Sequence, residues 1–525
     1  MFIRMLAVIL LSALLTATAV SQPVAKDPSK DKETSKEPKW PKEIGKKSLA
    51  EWLKIAREDK DAAARADALL TIPNFSPVEV RKECTKALCK RLESGGEPDS
   101  GVKLFVMDLI GAIGIEDPGD TKEALRVLNI YASGEHGSVS RMHALKAIAK
   151  FGPKAHGLSR GLANSTLVYK DPSFEVRRIV AQTLGQIAKT EALGPDYSVL
   201  KSLATNMANA NADKESCVLV RLAALESLFI LGPPLDLTKP AQKGMPPTID
   251  TKAAEEIIDI VKKRIAGAKP VETNKQAELW SRLVVVRFGT VDDMHEQLNA
   301  IAENLTNNDE SVKYQTIVTL GFLGENAEPK INQIVAILNS TKTNPQGHTL
   351  REAALMTLGS IGEKAIEPIR QVIEDTAEEP EMRIAALKAL AMMGEKAGRV
   401  RGSVVAIVQD PLTLEEPSKT RIALLEQALL TLAGMGVKAK SEVPSLQTLS
   451  KKLVAVKEKR MRGEEYQKWL KSPETQRWLK SMKKEEADEI LNNQNPEDQL
   501  KRFIDDAVVY INKSEEGHPG GAPKK

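Results

Sequence analysis

Several short stretches of this chain carry residue types that could do chemistry. GEKA occurs at Gly362–Ala365 and again at Gly394–Ala397, and a glycine close to a lysine suggests phosphate binding. A phosphate loop also needs more glycines, a Ser or Thr after the lysine and a strand leading in; neither copy has them. GLSRG, Gly157–Gly161, has the G-x-S-x-G spacing of a nucleophile elbow. That elbow needs a strand running into the serine, whereas Ser159 follows the turn KFGPKAH. The six histidines, His136, His143, His156, His295, His348 and His518, form no H-E-x-x-H pair and no Cys–His cluster with zinc spacing. Cys84 and Cys89 lie five apart on a helical stretch, about 140° around its axis, so they cannot bridge each other. Cys217 is far away. The residues therefore nominate no catalytic, cofactor-binding or metal-binding group, and they predict a protein that is not an enzyme and uses no cofactor.

The elements that must position these stretches explain them better. Twelve-residue segments resembling the GEKA lead-ins begin at Arg65, Lys103, Arg141, Arg177, Arg221, Lys313, Arg351 and Arg383, with weaker copies at Glu278 and Leu425. Counting the first residue as zero, offset seven is always apolar, from Ile72 and Ile110 to Leu390 and Leu432. Offset ten is large and apolar, from Phe75 to Met435, and offset three is small or β-branched, as at Ala68, Val180 and Ala386. At about 100° per residue, offsets three, four, seven and ten share one arc of a helix. The small residue is expected to admit a neighbouring helix. Glycine at offset eleven is expected to end most of the helices in a left-handed cap. A second apolar stretch follows, such as INQIVAILN, IEPIRQVIED or VRGSVVAIVQD. The unit is helix, capped turn, helix, repeating mostly every 32 to 44 residues. No such unit buries its stripe alone; stacking makes the core.

This period, the apolar spacing and the basic residue after a hydrophobic one resemble HEAT repeats; examples are Val176-Arg177 after Asp171-Pro172 and Val312-Lys313 after Asp309. The resemblance covers residues 47–455 and implies an all-α fold, a right-handed α-solenoid of about ten two-helix HEAT-like repeats with a helical C-terminal cap. It implies that Asp61, Asp99, Asp309 and Glu379, each four residues before a basic residue, sit in inter-repeat turns and pair with the basic ladder. It also implies that the second helices line the concave face. The Gly-punctuated form is similar to the HEAT-like repeats of bilin lyases. Trp40–Leu53, WPKEIGKKSLAEWL, is similar to the lead-in of exported bacterial HEAT-repeat proteins. Deoxyhypusine hydroxylases, a HEAT-fold enzyme class, bind iron through several His-Glu dipeptides; this chain has one, His295-Glu296.

Outside the repeats, residues 1–21 read as a signal peptide: Arg4, an apolar Met5–Leu15 and small residues at Ala17–Ser21. The expected location is therefore exported: periplasmic, cell-envelope or secreted. Residues 22–46 read as a charged, disordered linker and 233–252 as a proline-rich loop insertion. Residues 456–513 read as capping helices, with Trp469 and Trp478 on separate helices, and 514–525 as a disordered tail. A net charge of +4, from 75 basic and 71 acidic residues, selects no nucleic acid. The basic run Lys451–Arg462 contains no aromatic residue for base stacking and reads as a solvated helix face. The sequence thus predicts an exported scaffold that binds a protein partner along its repeat surface, with no integral membrane segment after signal removal. The alternative is an enzyme or enzyme accessory of the bilin-lyase type, for which the histidines and Cys84, Cys89 and Cys217 are the only candidates.

Overall fold

The apolar stripe of each twelve-residue segment becomes the buried face of a helix. The structure, a computed structural model, describes residues 40–93, 96–133, 135–164, 171–190, 194–195, 197–208, 215–232, 251–265, 272–338, 350–410, 419–462, 468, 471–472 and 496–514. The chain divides into two compact units. In Ser35–Asn304 a hairpin of β1 (Glu43–Ile44) and β2 (Lys47–Ser48) precedes α1 (Leu49–Glu58). Six helix pairs follow: α2 (Ala62–Thr71) with α3 (Pro77–Leu92), α4 (Ser100–Ala112) with α5 (Pro118–Ala132), and α6 (Ser138–Lys150) with α7 (Ser159–Asn164). Then come α8 (Phe174–Ile187) with α9 (Tyr197–Ala208), α10 (Glu215–Leu231) with α11 (Thr251–Ile265), and α12 (Lys275–Phe288) with α13 (Val291–Ala302). A second hairpin, β3 (Lys189–Thr190) and β4 (Gly194–Pro195), lies between α8 and α9. The unit that begins at Leu305 has four pairs. They are α14 (Glu310–Phe322) with α15 (Ile331–Ile337), α16 (Leu350–Ile361) with α17 (Ile366–Glu374), α18 (Pro380–Met393) with α19 (Arg401–Val408), and α20 (Lys419–Gly434) with α21 (Val443–Arg462). The final helix is α22 (Pro496–Lys513).

Polar caps start these helices. Asp61, Asp99, Asp117, Ser173, Asn274 and Asp309 each accept a hydrogen bond from a first-turn backbone N–H, which would otherwise be unsatisfied. Ser48 with Glu51 and Thr290 with Asp293 form reciprocal capping boxes. Packing decides which face turns inward. All ten offset-seven residues, Ile72, Ile110, Ile148, Leu184, Leu228, Val285, Leu320, Leu358, Leu390 and Leu432, are 0% exposed. They are therefore the positions where loss of volume costs most.

Glycine ends six first helices with positive φ, at Gly114, Gly152, Gly324, Gly362, Gly394 and Gly436. Two details differ from expectation. Gly289 has an extended backbone (φ −84°, ψ −179°), and Gly232 is not at positive φ. At Gly362 (φ 93°, ψ −144°) and Gly394 (φ 58°, ψ −131°) the backbone is not the left-handed helical cap but the mirror image of extended chain, which is open almost only to glycine. A short 3₁₀ turn follows, and its alanine, Ala155, Ala327, Ala365, Ala397 or Ala439, is fully buried. GEKA is thus a turn that seats an alanine in the core. Gly394→Ala should cost about 1–3 kcal/mol. Gly402→Ala, where a Cβ meets nothing within 4 Å in α19, should stabilise by about 0.5–1 kcal/mol. Thermal denaturation followed by circular dichroism separates the two.

Successive first helices approach closely at offset eight of one and offset six of the next, and the small residue at offset three is buried. A Cβ on Gly111 would lie 2.8 Å from Ala147 Cα, and one on Gly359 would lie 3.0 Å from Ala389 Cα. Hydroxyls at offset six reach back to the offset-four carbonyl of the preceding repeat. Ser227 donates to Ala181 O (2.8 Å), Thr357 to Ile317 O (2.9 Å), Thr431 to Leu387 O (3.0 Å) and Thr183 to Leu145 O (3.3 Å). Each bond satisfies a buried hydroxyl and fixes the register between neighbouring repeats.

The basic ladder is also paired differently from the family expectation. Asp61, Asp99 and Asp309 are helix caps, and Glu379 makes no side-chain cap. Four of the six first-position arginines instead reach an acid just ahead of the next repeat's cap, while Arg177 and Arg383 donate to the backbone carbonyls of Asp171 and Ile373. Arg65 binds Glu97 (2.6 Å), Arg141 binds Asp171 (2.8 Å), Arg221 binds Glu272 (2.8 Å), and Arg351 binds Glu378. Each acid also accepts from the backbone N–H one or two residues on, at Asp99, Ser173, Asn274 and Glu379. These pairs, buried at Arg65, Arg141 and Arg221 and part-buried at Arg351, tie each of these helices to the entry of the next.

At the N-terminal edge, Gly45 and Lys46 both have positive φ in the two-residue turn between β1 and β2, as a tight hairpin requires. Trp52 Nε1 donates to Ile44 O at 2.9 Å. This hairpin lies partly inside the stretch expected to be linker. At the other edge α22 buries Leu500, Ile504 and Ile511 against α20 and α21, and Ser450 donates to Asp505 at 2.7 Å. The expected boundary at 455–456 falls within α21, which runs unbroken to Arg462. Residues 1–21, most of the 22–46 and 233–252 stretches, Trp469, Trp478 and the tail beyond residue 514 lie outside the described residues. No single described helix is long and apolar enough to cross a membrane.

Candidate binding surfaces

The residues with chemical potential are dispersed by the fold. Ser159 opens α7, is buried, and donates its hydroxyl to His156 O at 2.7 Å. His156 Nδ1 faces Ile187 O at 3.3 Å, His143 Nδ1 faces Asp108 at 2.8 Å, and His136 stacks on Tyr131 with ring centres 4.6 Å apart. His295 and Glu296 are exposed on α13. His348 and His518 lie outside the described residues, as does the side chain of Cys217. Among the described residues no three His, Cys, Asp or Glu side chains are grouped to hold a metal.

Cys84 and Cys89 are free and buried in α3, and burial pushes both thiols up to about 12. A thiol is reactive as thiolate. Neither should react with a thiol reagent in the native protein at neutral pH, and both should react once urea unfolds it. Mass spectrometry of alkylated peptides checks this.

Glu226 on α10 was not distinguished by sequence. Burial pushes its carboxyl up to about 7, against the pull of the Arg178 charge. A raised carboxyl pKa means that native stability is fully present below the unfolded value, about 4.3, and is lost as pH rises through 7. Glu226→Gln should therefore stabilise the protein above pH 7 and change little below pH 4, measured as the difference in urea midpoint across pH.

The second helices expose their polar sides, and exposed or part-buried pairs link neighbours. Arg126 on α5 meets Glu93 at 2.8 Å, Lys201 on α9 meets Glu256 on α11 at 2.9 Å, and Lys262 on α11 meets Asp293 on α13. Such pairs contribute little stability, about 0–1 kcal/mol each, so they describe a charged surface rather than a clamp. Between α3 and the start of α5 lies a groove of about 430 Å³. Arg81, Lys82, Thr85 and Lys86 form one wall; Ile115, Glu116, Asp117 and Asp120 form the other. Arg81 and Glu116 close across it at 3.1 Å. Lys86 and Asp120 have no ion partner among the described residues, and Val78 at the rim is 64% exposed. The groove can take a chain segment that places one apolar group at Val78 and opposite charges against its two walls.

Comparison with known proteins adds a local and a global likeness. Residues 350–375, which span α16, the Gly362 turn and α17, match the family model of the PBS lyase HEAT-like repeat. A search of the curated proteins finds no match. Similar solved structures include an engineered protein, 15% identical, with 82% of this chain and 99% of that chain covered and a TM-score of 0.33. Importin beta in an ammonium sulfate condition is 14% identical over 89% of this chain and 64% of its own, with a TM-score of 0.38. The Kap95:Nup1 complex gives 11%, 88%, 56% and 0.47 for the same quantities. The chain thus spans less than two thirds of either of these last two. On its own helix pairs, its glycine turns and the match at 350–375, the chain is an α-solenoid of HEAT-like repeats.

Proposed function

We propose that this chain is an exported scaffold that binds a protein partner on its second-helix face, without bond chemistry. The groove between α3 and α5 carries the proposal: it offers unpaired opposite charges, Lys86 and Asp120, beside an exposed apolar side chain, Val78. An interface needs an apolar anchor ringed by polar groups that fix orientation, and these residues supply both. Export rests on the signal-like residues 1–21.

The test is crosslinking capture from envelope extract with the wild-type chain and with Lys82→Glu/Lys86→Glu. These lysines lie outside the core, so the variant should keep its helical circular dichroism. A protein captured by wild type and lost with the variant supports the groove. Equal capture by both, or none by wild type, removes it. Fractionation tests export separately: full-length chain in the cytosol with residues 1–21 intact would contradict it.

A further inference from the structure

Exposed cations on several second helices are matched by acids. Arg126 on α5 meets Glu123 at 2.6 Å, Lys201 on α9 meets Glu256 on α11 at 2.9 Å, and Lys263 on α11 meets Asp259 at 2.6 Å. The outer side of α21 breaks that pattern. Lys451, Lys452 and Lys459 are exposed and have no ion partner among the described residues. Arg462 pairs at 3.5 Å with Glu458, the one acid of this helix, and Lys457 is held by Asp498 on α22.

At about 100° per residue, Lys451, Lys452, Val454, Ala455, Lys459 and Arg462 share about 160° of the helix surface, opposite the buried Leu446, Leu449 and Leu453. They form a stripe roughly 16 Å long. Val454, 43% exposed, and the exposed Ala455 set apolar surface among the cations. Flanking acids do not cancel the charge. Glu442, just ahead of the helix, pairs with Arg401 at 3.2 Å, and Asp505 on α22 is held by Ser450 and Lys501. Asp506 is exposed on α22, four residues from the exposed Arg502. The bland account is that a helix closing a stack keeps a polar outer face. Mixed charges, as on α5 and α11, meet that need equally well, and it does not call for an exposed valine.

We propose that this outer face of α21 docks on an anionic lipid surface. Lysines reach phosphate headgroups while their methylene stems and a valine cover the apolar boundary, and a straight stripe meets a plane along its whole length. A nucleic acid is the poorer fit, because Lys451–Arg462 carries no aromatic side chain for bases to stack on. A single patch of this kind gives weak, reversible attachment. It shares no residue with the α3–α5 groove, so either can fail without the other.

Co-sedimentation of the full chain with vesicles tests it, using phosphatidylcholine alone in one arm and equal parts of phosphatidylcholine and phosphatidylglycerol in the other. Wild type is expected to bind the anionic vesicles more tightly than the neutral ones, and less tightly as salt is raised. Lys451→Gln should weaken that binding about fivefold, and Lys451→Glu/Lys452→Glu more than about twentyfold. Lys451→Arg/Lys452→Arg should retain it, and Val454→Ser should weaken it through the lost apolar contact. These side chains are exposed, so each variant should keep its helical circular dichroism. Equal binding of neutral and anionic vesicles, equal binding by wild type and Lys451→Glu/Lys452→Glu, or binding of soluble polyphosphate with no binding of anionic vesicles overturns the proposal, as does no binding at all.

Discussion

Glu97→Ala is expected to destabilise the repeat stack by about 3–5 kcal/mol, the usual cost of leaving a buried charge without its partner. Glu97 receives Arg65 Nε at 3.0 Å and Nη2 at 2.6 Å, the Asp99 backbone N–H at 2.9 Å, and Arg91. Arg65 and Glu97 side chains are 5% and 0% exposed, so water cannot replace the lost acceptor. Arg65 retains only the Asp59 and Lys60 carbonyls, at 2.9 and 3.1 Å. Burial alone would raise the Glu97 pKa, but the Arg65 hydrogen bonds, the Asp99 N–H and the Arg91 charge hold it below the usual carboxylate range. A lowered carboxyl pKa contributes stability that is present above the unfolded value, about 4.3, and is lost as pH falls through the native one. The wild-type advantage over Glu97→Ala should therefore shrink on acidification. Urea unfolding followed by circular dichroism at neutral and acid pH measures both effects. A triple variant, Arg65→Met/Arg91→Met/Glu97→Leu, should recover most of the loss, because it removes the Glu97 charge together with both arginines that face it. A single-variant loss below 1 kcal/mol at neutral pH would show that the fork is not holding the repeats.

Leu358→Ala is expected to cost about 2–5 kcal/mol, the range for emptying a fully buried leucine site. Leu358 is fully buried in α16 one residue before Gly359, where an added Cβ would lie 3.0 Å from Ala389 Cα. The close approach leaves the neighbouring helix little freedom to collapse into the cavity. In a stack where each repeat contacts only its neighbours, the loss should spread outward from the site. Hydrogen exchange should speed up most in α16, α17 and α18, and remain near wild type in α21 and α22. Uniform acceleration across the whole Leu305–Lys525 unit would instead show that this unit unfolds as one body.

Much of this was legible because it repeats. Ten copies of an apolar stripe carry more information than any single segment, and every offset-seven residue is buried. The turns were legible as turns because glycine recurs at one position. The exact backbone was not, since Gly362 and Gly394 take a mirror-extended conformation that no spacing rule distinguishes from a helical cap. The acids of the arginine forks were missed for a physical reason. Glu97, Asp171, Glu272 and Glu378 stand outside the helices, 27 to 51 residues from their arginines, and their signal is an acid just before a helix cap, which looks like a solvated turn. The offset-six hydroxyls were visible in the letters, but their acceptors lie in the preceding repeat, 38 to 46 residues away.

The central claim is that the second-helix face holds a protein partner at the α3–α5 groove. Hydrogen exchange of the chain with and without its captured partner tests it most directly. Slowed exchange confined to α3, the start of α5 and the turn at Ile115–Asp117, absent in Lys82→Glu/Lys86→Glu, is the predicted result. Protection on the first helices, with α3 and α5 unchanged, would contradict it.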